Sequence, residues 1–266
     1  MVQTRRTYFD GKYGQIHAYI AGEEQPGKLP LYCAHQSPKC GGEFSSFMKA
    51  AGRERLVIAP DYPGYGMSDR PPSESDVSIE FYAESMWSVI DQMGHDKVDL
   101  FGNHTGSKVI AAMAMARPER VGSLVMISAT ILTPEEHKMF TDFFQPVPLD
   151  EAGTRFTTMW QRIIERRGPG VTMEMMGRSF AMNLMGGEEY EWGHHAAFAW
   201  WKEDEHALRT LEHRITILNP NDDLTECTRR AAPMLKNGEV VELPDWGYNF
   251  MDVWPDEAAQ LVLSKL

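Results

Sequence analysis

The sequence predicts an α/β protein: a mostly parallel central sheet with helices on both faces and one helical insertion. Short apolar runs of buried-strand length recur along the chain, among them Leu29–Ala34, Leu56–Ala59, Val98–Phe101 and Val121–Ser128. Helical patterns lie between them, and parallel strands require such crossovers, which cover both faces of a sheet. The alternation breaks once, between Thr133 and Arg214, in a long helical interval crowded with aromatic and methionine side chains.

Arg6–Phe9 and Ile16–Ile20 flank Asp10-Gly11-Lys12-Tyr13-Gly14, so a hairpin opens the chain. Leu29–Ala34 and Leu56–Ala59 follow as strands. In Ser78–Met93 the apolar residues Ile79, Tyr82, Met86, Val89, Ile90 and Met93 recur at helical spacing. Val98–Phe101 is the next strand, and Ser107–Ala116 an alanine- and methionine-rich helix stopped by Pro118. Val121–Ser128, Ile215–Leu218 and Val240–Leu243 are further strands, and Pro255–Leu266 is a closing helix. Residues 1–133 and 214–266 thus make the sheet-bearing core, and residues 134–213 a helical cap. A cap at this point sits above the carboxyl ends of the strands, where open α/β sheets place ligands. Most of its aromatic and methionine side chains form a small core of their own, and those facing the sheet line an apolar pocket.

Composition narrows the partners. The 266 residues are 42% hydrophobic and carry a net charge of −12, with no run of Lys or Arg, which excludes nucleic acid as the expected partner. No stretch approaches the roughly 18 apolar residues of a membrane span. Met1–Tyr19 mixes charged and polar groups, so no secretory signal is read there. Cys33, Cys40 and Cys227 are an odd set, more like reduced thiols than a disulfide framework, and the expected compartment is the cytoplasm. A homo-oligomer is left open.

The most informative segment is Val98-Asp99-Leu100-Phe101-Gly102-Asn103-His104-Thr105-Gly106-Ser107, a strand, a tight glycine-flanked turn and a helix start. Gly-x-nucleophile-x-Gly in that setting is a nucleophile elbow, and here the exposed position holds His104. With this segment the chain resembles the α/β-hydrolase superfamily, and four more landmarks follow in the family's order. Leu31-Tyr32-Cys33-Ala34-His35-Gln36-Ser37-Pro38 is similar to the His-Gly-x-Pro segment, with Gln36 in place of glycine. Asp61-Tyr62-Pro63-Gly64-Tyr65-Gly66-Met67-Ser68-Asp69 resembles the Asp-x-Pro-Gly-x-Gly-x-Ser-Asp turn. Leu218-Asn219-Pro220-Asn221-Asp222-Asp223 resembles the segment of the family's acid, aligned here with Asp222, although Asp223 is adjacent. Leu243–Phe250 with the later Pro255 resembles the last catalytic loop, whose histidine falls on Tyr248.

The resemblance implies catalytic stations at His104, Asp222 and Tyr248, and oxyanion or substrate contacts from His35, Gln36, Ser37, Asn103 and Thr105. A Ser-His-Asp hydrolase is excluded by the residues present. Imidazole can act as a base near neutral pH or attack a carbonyl directly. A helix N-terminus disfavours imidazolium, so the ring is expected to be neutral. The Thr105 amide, with one near Gln36 or Ser37, would stabilise an oxyanion or enolate. His35 either faces the same pocket or braces its loop. His194 and His195 are expected on a helix surface or lid face, and Cys227 in the core. No zinc-type spacing, phosphate loop or dinucleotide fingerprint occurs, so neither a metal nor a cofactor is implied. The expected function is hydrolysis of an ester, lactone or C–C bond in a small hydrophobic carbonyl substrate. Base-catalysed lyase, decarboxylase or dioxygenase chemistry without a cofactor, and an inactive ligand-binding protein, are the alternatives.

Overall fold

The computed structural model describes residues 2–266. In the core before the insertion, the elements are β1 (Arg5–Gly11), β2 (Gly14–Ala21), β3 (Leu31–Ala34), α1 (Ser45–Ala51), β4 (Val57–Pro60), α2 (Ile79–Met93), β5 (Val98–Asn103), α3 (Thr105–Ala116) and β6 (Val121–Ile127). Five helices follow: α4 (Pro134–Phe143), α5 (Thr154–Glu165), α6 (Met173–Leu184), α7 (Trp192–Ala199) and α8 (Trp201–Thr210). The core resumes with β7 (Arg214–Pro220), α9 (Thr225–Arg229), β8 (Gly238–Leu243), α10 (Phe250–Val253) and α11 (Pro255–Ser264).

The strands form one eight-stranded sheet in the order β1-β2-β4-β3-β5-β6-β7-β8. Only β2 runs against its neighbours, since it pairs antiparallel with both β1 and β4 while the remaining pairs are parallel. Every residue of β3, β4 and β5 is buried, as expected of strands covered on both faces. One apolar cluster lies on the side of α2 and α3 and another on the side of α1 and α11. The helix α2 starts where Ser78 accepts a hydrogen bond from the Phe81 amide (3.1 Å), and ends at Gly94 in the left-handed region (φ 76°).

The short helices α1, α9 and α10 have too few residues to show a periodic stripe and are absent from the sequence reading. The helix α3 begins at Thr105 rather than Ser107, directly against the elbow. The last helix of the insertion, α8, packs on α3, and Ala207, Leu208 and Leu211 join the core cluster of the sheet. Among the described residues no helix is long and apolar enough to cross a membrane. The three cysteines are free and buried.

Candidate active site

The elbow is built by close packing. A side chain on Gly106 would strike the carbonyl of Ala34 at the end of β3, and one on Gly102 would strike the Gly106 backbone. That crowding brings β5, β3 and α3 together and leaves His104 at the tip with φ 49° and ψ −107°. Such a conformation costs a non-glycine residue about 1–3 kcal/mol and persists only where the surroundings impose it. Here the His104 amide donates to Ile127 of β6 (3.0 Å), and its carbonyl accepts from Ser107 (2.9 Å).

The imidazole pairs directly with the acid. Nε2 of His104 lies 3.0 Å from Oδ2 of Asp222. The same oxygen accepts from the Ser128 hydroxyl (3.2 Å), and Oδ1 accepts from the Leu224 amide (2.8 Å). The carboxylate is 1% exposed and the imidazole 16%. With Asp222 ionised, Nε2 carries the proton and Nδ1 the free lone pair; among the described residues nothing hydrogen-bonds Nδ1. Burial lowers the pKa of His104, but the Asp222 hydrogen bond and the charges of Asp222, Asp223 and Glu43 outweigh it and raise the pKa. The expected lowering by the helix terminus is outweighed, and the shift runs the other way. A helix terminus supplies a partial charge, whereas Asp222 supplies a full one in contact.

Tyr248 does not join Asp222. Its hydroxyl donates to Asp223, which also pairs with Arg166 (2.9 Å). Tyr248 stands edge-on to His104 with ring centroids 5.6 Å apart, so it walls the imidazole instead of relaying its proton. The two adjacent aspartates thus divide, Asp222 serving His104 and Asp223 the loop tyrosine.

The oxyanion segment also departs from expectation. Glu43, buried behind the elbow, accepts from the Gln36 amide (2.8 Å), the Gln36 side chain (2.8 Å) and the Asn103 side chain (3.2 Å). The Gln36 amide and Asn103 are therefore spent on a buried carboxylate and do not face a substrate. Burial pushes the Glu43 pKa up, and Lys39 and Gln36 partly offset this. The Ser37 amide makes only a long contact to the Thr105 hydroxyl (3.4 Å). His35 is fully buried; its Nδ1 donates to the Gln36 carbonyl (2.9 Å) and Nε2 accepts from the Tyr62 amide (2.9 Å). Burial lowers its pKa to about 4. It braces the loop, and the reading of His35 as a pocket contact is corrected: both ring nitrogens are committed to backbone.

A cavity of about 1080 Å³, counted out to its open mouth, lies above His104. Loops after five strands line its floor with Gln36, Ser37, Lys39, His104, Thr130, Asp223, Leu224 and Tyr248, and Thr105 and Lys108 of α3 join them. Phe140, Phe144, Met159, Ile163, Ala197 and Phe198 from α4, α5 and α7 form an apolar roof. A smaller chamber behind the imidazole is bordered by Glu43, Asn103, Asp222 and Tyr248.

Several lining groups escaped sequence reasoning. Lys108, the only charge in α3, forms a buried pair with Asp204 of α8, which also accepts from Thr130 (3.1 Å). That lone charge in an apolar helix was the available signal. His194 lines the cavity, pairs with buried Glu191 and packs against Phe144 (4.1 Å between centroids), whereas His195 is bound to Glu74 and the Phe144 carbonyl. Consecutive helical residues point apart, and only the first of the pair reaches the site. Among the described residues no group of three or more His, Cys, Asp or Glu side chains is arranged to hold a metal ion.

The family model described as "alpha/beta hydrolase fold" matches residues 30–157. A thermophilic esterase from Thermogutta terrifontis superimposes with a TM-score of 0.74 at 20% identity, covering 98% of this chain and 97% of that one. The chain therefore has the α/β-hydrolase fold. Among curated relatives, a haloalkane dehalogenase from Psychrobacter cryohalolentis is 30% identical over 153 residues, 54% of this chain and 50% of that protein. A 2-hydroxymuconate semialdehyde hydrolase from Pseudomonas sp. is 33% identical over 82 residues, 31% of this chain and 29% of that protein. The chain thus spans half or less of the length of these curated relatives.

Proposed function

We propose that the chain is a hydrolase for a small, largely apolar carbonyl substrate (an ester, a lactone or a C–C bond beside a carbonyl), with His104 as its general base. The observation that carries this is the His104–Asp222 pair at the floor of the cavity. Asp222 holds the proton on Nε2, which leaves Nδ1 basic. In the reaction, Nδ1 takes a proton from water as the water oxygen bonds to the carbonyl carbon. Charge on the carbonyl oxygen is met by the Thr105 amide at the start of α3, and by the Ser37 amide once it leaves the Thr105 hydroxyl. The imidazolium, stabilised by Asp222, then returns the proton to the departing oxygen or carbon. The helices within residues 134–213 act as the cap that holds the apolar part of the substrate.

A second reading has its own support. With Glu43 on the Gln36 amide, the oxyanion site is poorer than a hydrolase loop normally provides, which suits proton abstraction from a substrate C–H or O–H. Both readings require a neutral Nδ1, so kcat/KM should rise with pH through the raised His104 pKa. The test is a pH–rate profile on a panel of aryl esters, lactones and diketones, with water incorporation from labelled solvent separating the two readings. Activity independent of pH across the neutral range would defeat both.

A further inference from the structure

The cavity is lined by four cations, Lys39, Lys108, Arg162 and Arg166, and two acids, Glu191 and Asp223, in a chain whose net charge is −12. Three of the cations are already matched: Lys108 by Asp204, Arg162 by Glu191 (3.5 Å) and Arg166 by Asp223 (2.9 Å). Lys39 is not. Its residue is 8% exposed, and among the described residues its ammonium makes no hydrogen bond and no ion pair within 4.0 Å. It borders both the main cavity and the chamber behind His104. The acid nearest in effect, Glu43, has its oxygens engaged by Gln36 and Asn103. The Lys39 side chain is largely buried but its ammonium is not sealed off, so its three donors stay open to an acid entering the cavity.

Resting on the cavity being the substrate site, we propose that Lys39 anchors a carboxylate on the substrate, whose apolar body lies under Phe140, Phe144 and Phe198. One point charge suits a monoanion. A phosphate would call on more donors, and the lining arginines are already committed to Glu191 and Asp223. The carboxylate thus fixes which end of the substrate approaches Nδ1 of His104.

The test is calorimetric binding of cinnamate and hexanoate, each against its uncharged primary amide, to the wild-type chain, Lys39→Met and His104→Gln. The carboxylates should bind wild type about tenfold or more tightly than their amides. Lys39→Met should lose that preference while keeping amide binding, and ligand-free Lys39→Met should melt no lower than wild type. His104→Gln should keep the preference, so a failure of the catalytic reading would not disturb this result. Equal binding of carboxylates and amides by wild type, or an unchanged preference in Lys39→Met, would overturn the assignment. The wild-type comparison stands even if the variant fails to fold.

Discussion

Replacing Asp222 with asparagine should invert the proton arrangement on His104 without disturbing the fold. Oδ1 of Asp222 accepts from a backbone amide, that of Leu224, while Oδ2 faces His104 and Ser128. An asparagine must keep its oxygen on the Leu224 amide, which places its NH₂ against Nε2. The imidazole must then accept at Nε2 and carry its proton on Nδ1, the nitrogen needed as base. Loss of a correctly protonated general base costs roughly 10²–10⁴-fold in rate. The stability cost is smaller, because one charge-assisted hydrogen bond becomes a neutral one and no charge is left unpaired, about 1–2 kcal/mol. With ~2.1 cal/mol/K of unfolding entropy per residue over 266 residues, that is about 2–4 °C in Tm. Nitrogen-15 NMR reads the outcome without a substrate: the Nε2–H tautomer in wild type, Nδ1–H in Asp222→Asn. The His104 pKa, raised in wild type, should fall in the variant. Stability carries the same sign. The favourable protonated pair contributes fully below the unfolded pKa of about 6.5 and is lost as pH rises through the higher folded value. Urea midpoints of Asp222→Asn should lack that decline. An Nδ1–H tautomer in the wild-type protein would show that Asp222 does not hold the proton on Nε2.

Serine-directed fluorophosphonates should leave the intact mass unchanged, because Ser107 donates to two backbone carbonyls and Ser128 to Asp222; stoichiometric phosphonylation would reveal a displaced nucleophile. Lys108→Met should cost about 3–5 kcal/mol at neutral pH by stranding Asp204, and Lys108→Met with Asp204→Leu should recover most of it, as denaturant titration will show. Since burial already raises the Asp204 pKa, acidifying the single variant should relieve part of the loss, and a further loss in mild acid would contradict this. Tyr248→Phe should reduce turnover far less than Asp222→Asn, since its hydroxyl serves Asp223.

The sheet was legible because buried parallel strands leave continuous apolar runs, and the elbow because its glycine spacing marks a strand-to-helix turn, although one of the two, Gly106, packs on distant Ala34 of β3. Strand ends moved by only a few residues, as at β5, which continues to Asn103. The site was legible as a set of stations but not as partnerships. His104 and Asp222 are 118 residues apart, and nothing local says that the acid would bond the elbow residue itself. Nor does local sequence say which of Asp222 and Asp223 takes Tyr248. Lys39 and Glu43 follow the segment that resembles the oxyanion loop, and nothing in the local sequence marks them. Only the fold shows Glu43 accepting from Gln36 and Asn103 and, among the described residues, the Lys39 ammonium without a hydrogen-bond partner. The direction of the His104 shift was not legible because local reasoning weighs the adjacent helix terminus, whereas a carboxylate from the loop after β7 carries the larger charge.

The proposed function stands or falls on His104, held by Asp222, as the general base. The most direct measurement is the turnover of the same ester, lactone and diketone panel by wild type and His104→Ala at matched folding, checked by circular dichroism and Tm. Wild type should convert at least one substrate, with kcat/KM rising through the His104 pKa, and His104→Ala should lose roughly 10²–10⁴-fold while its melting temperature falls by only a few degrees from the lost Asp222 hydrogen bond. Near wild-type turnover by His104→Ala, or ligand binding with no turnover by either protein, would rule out His104 as the general base.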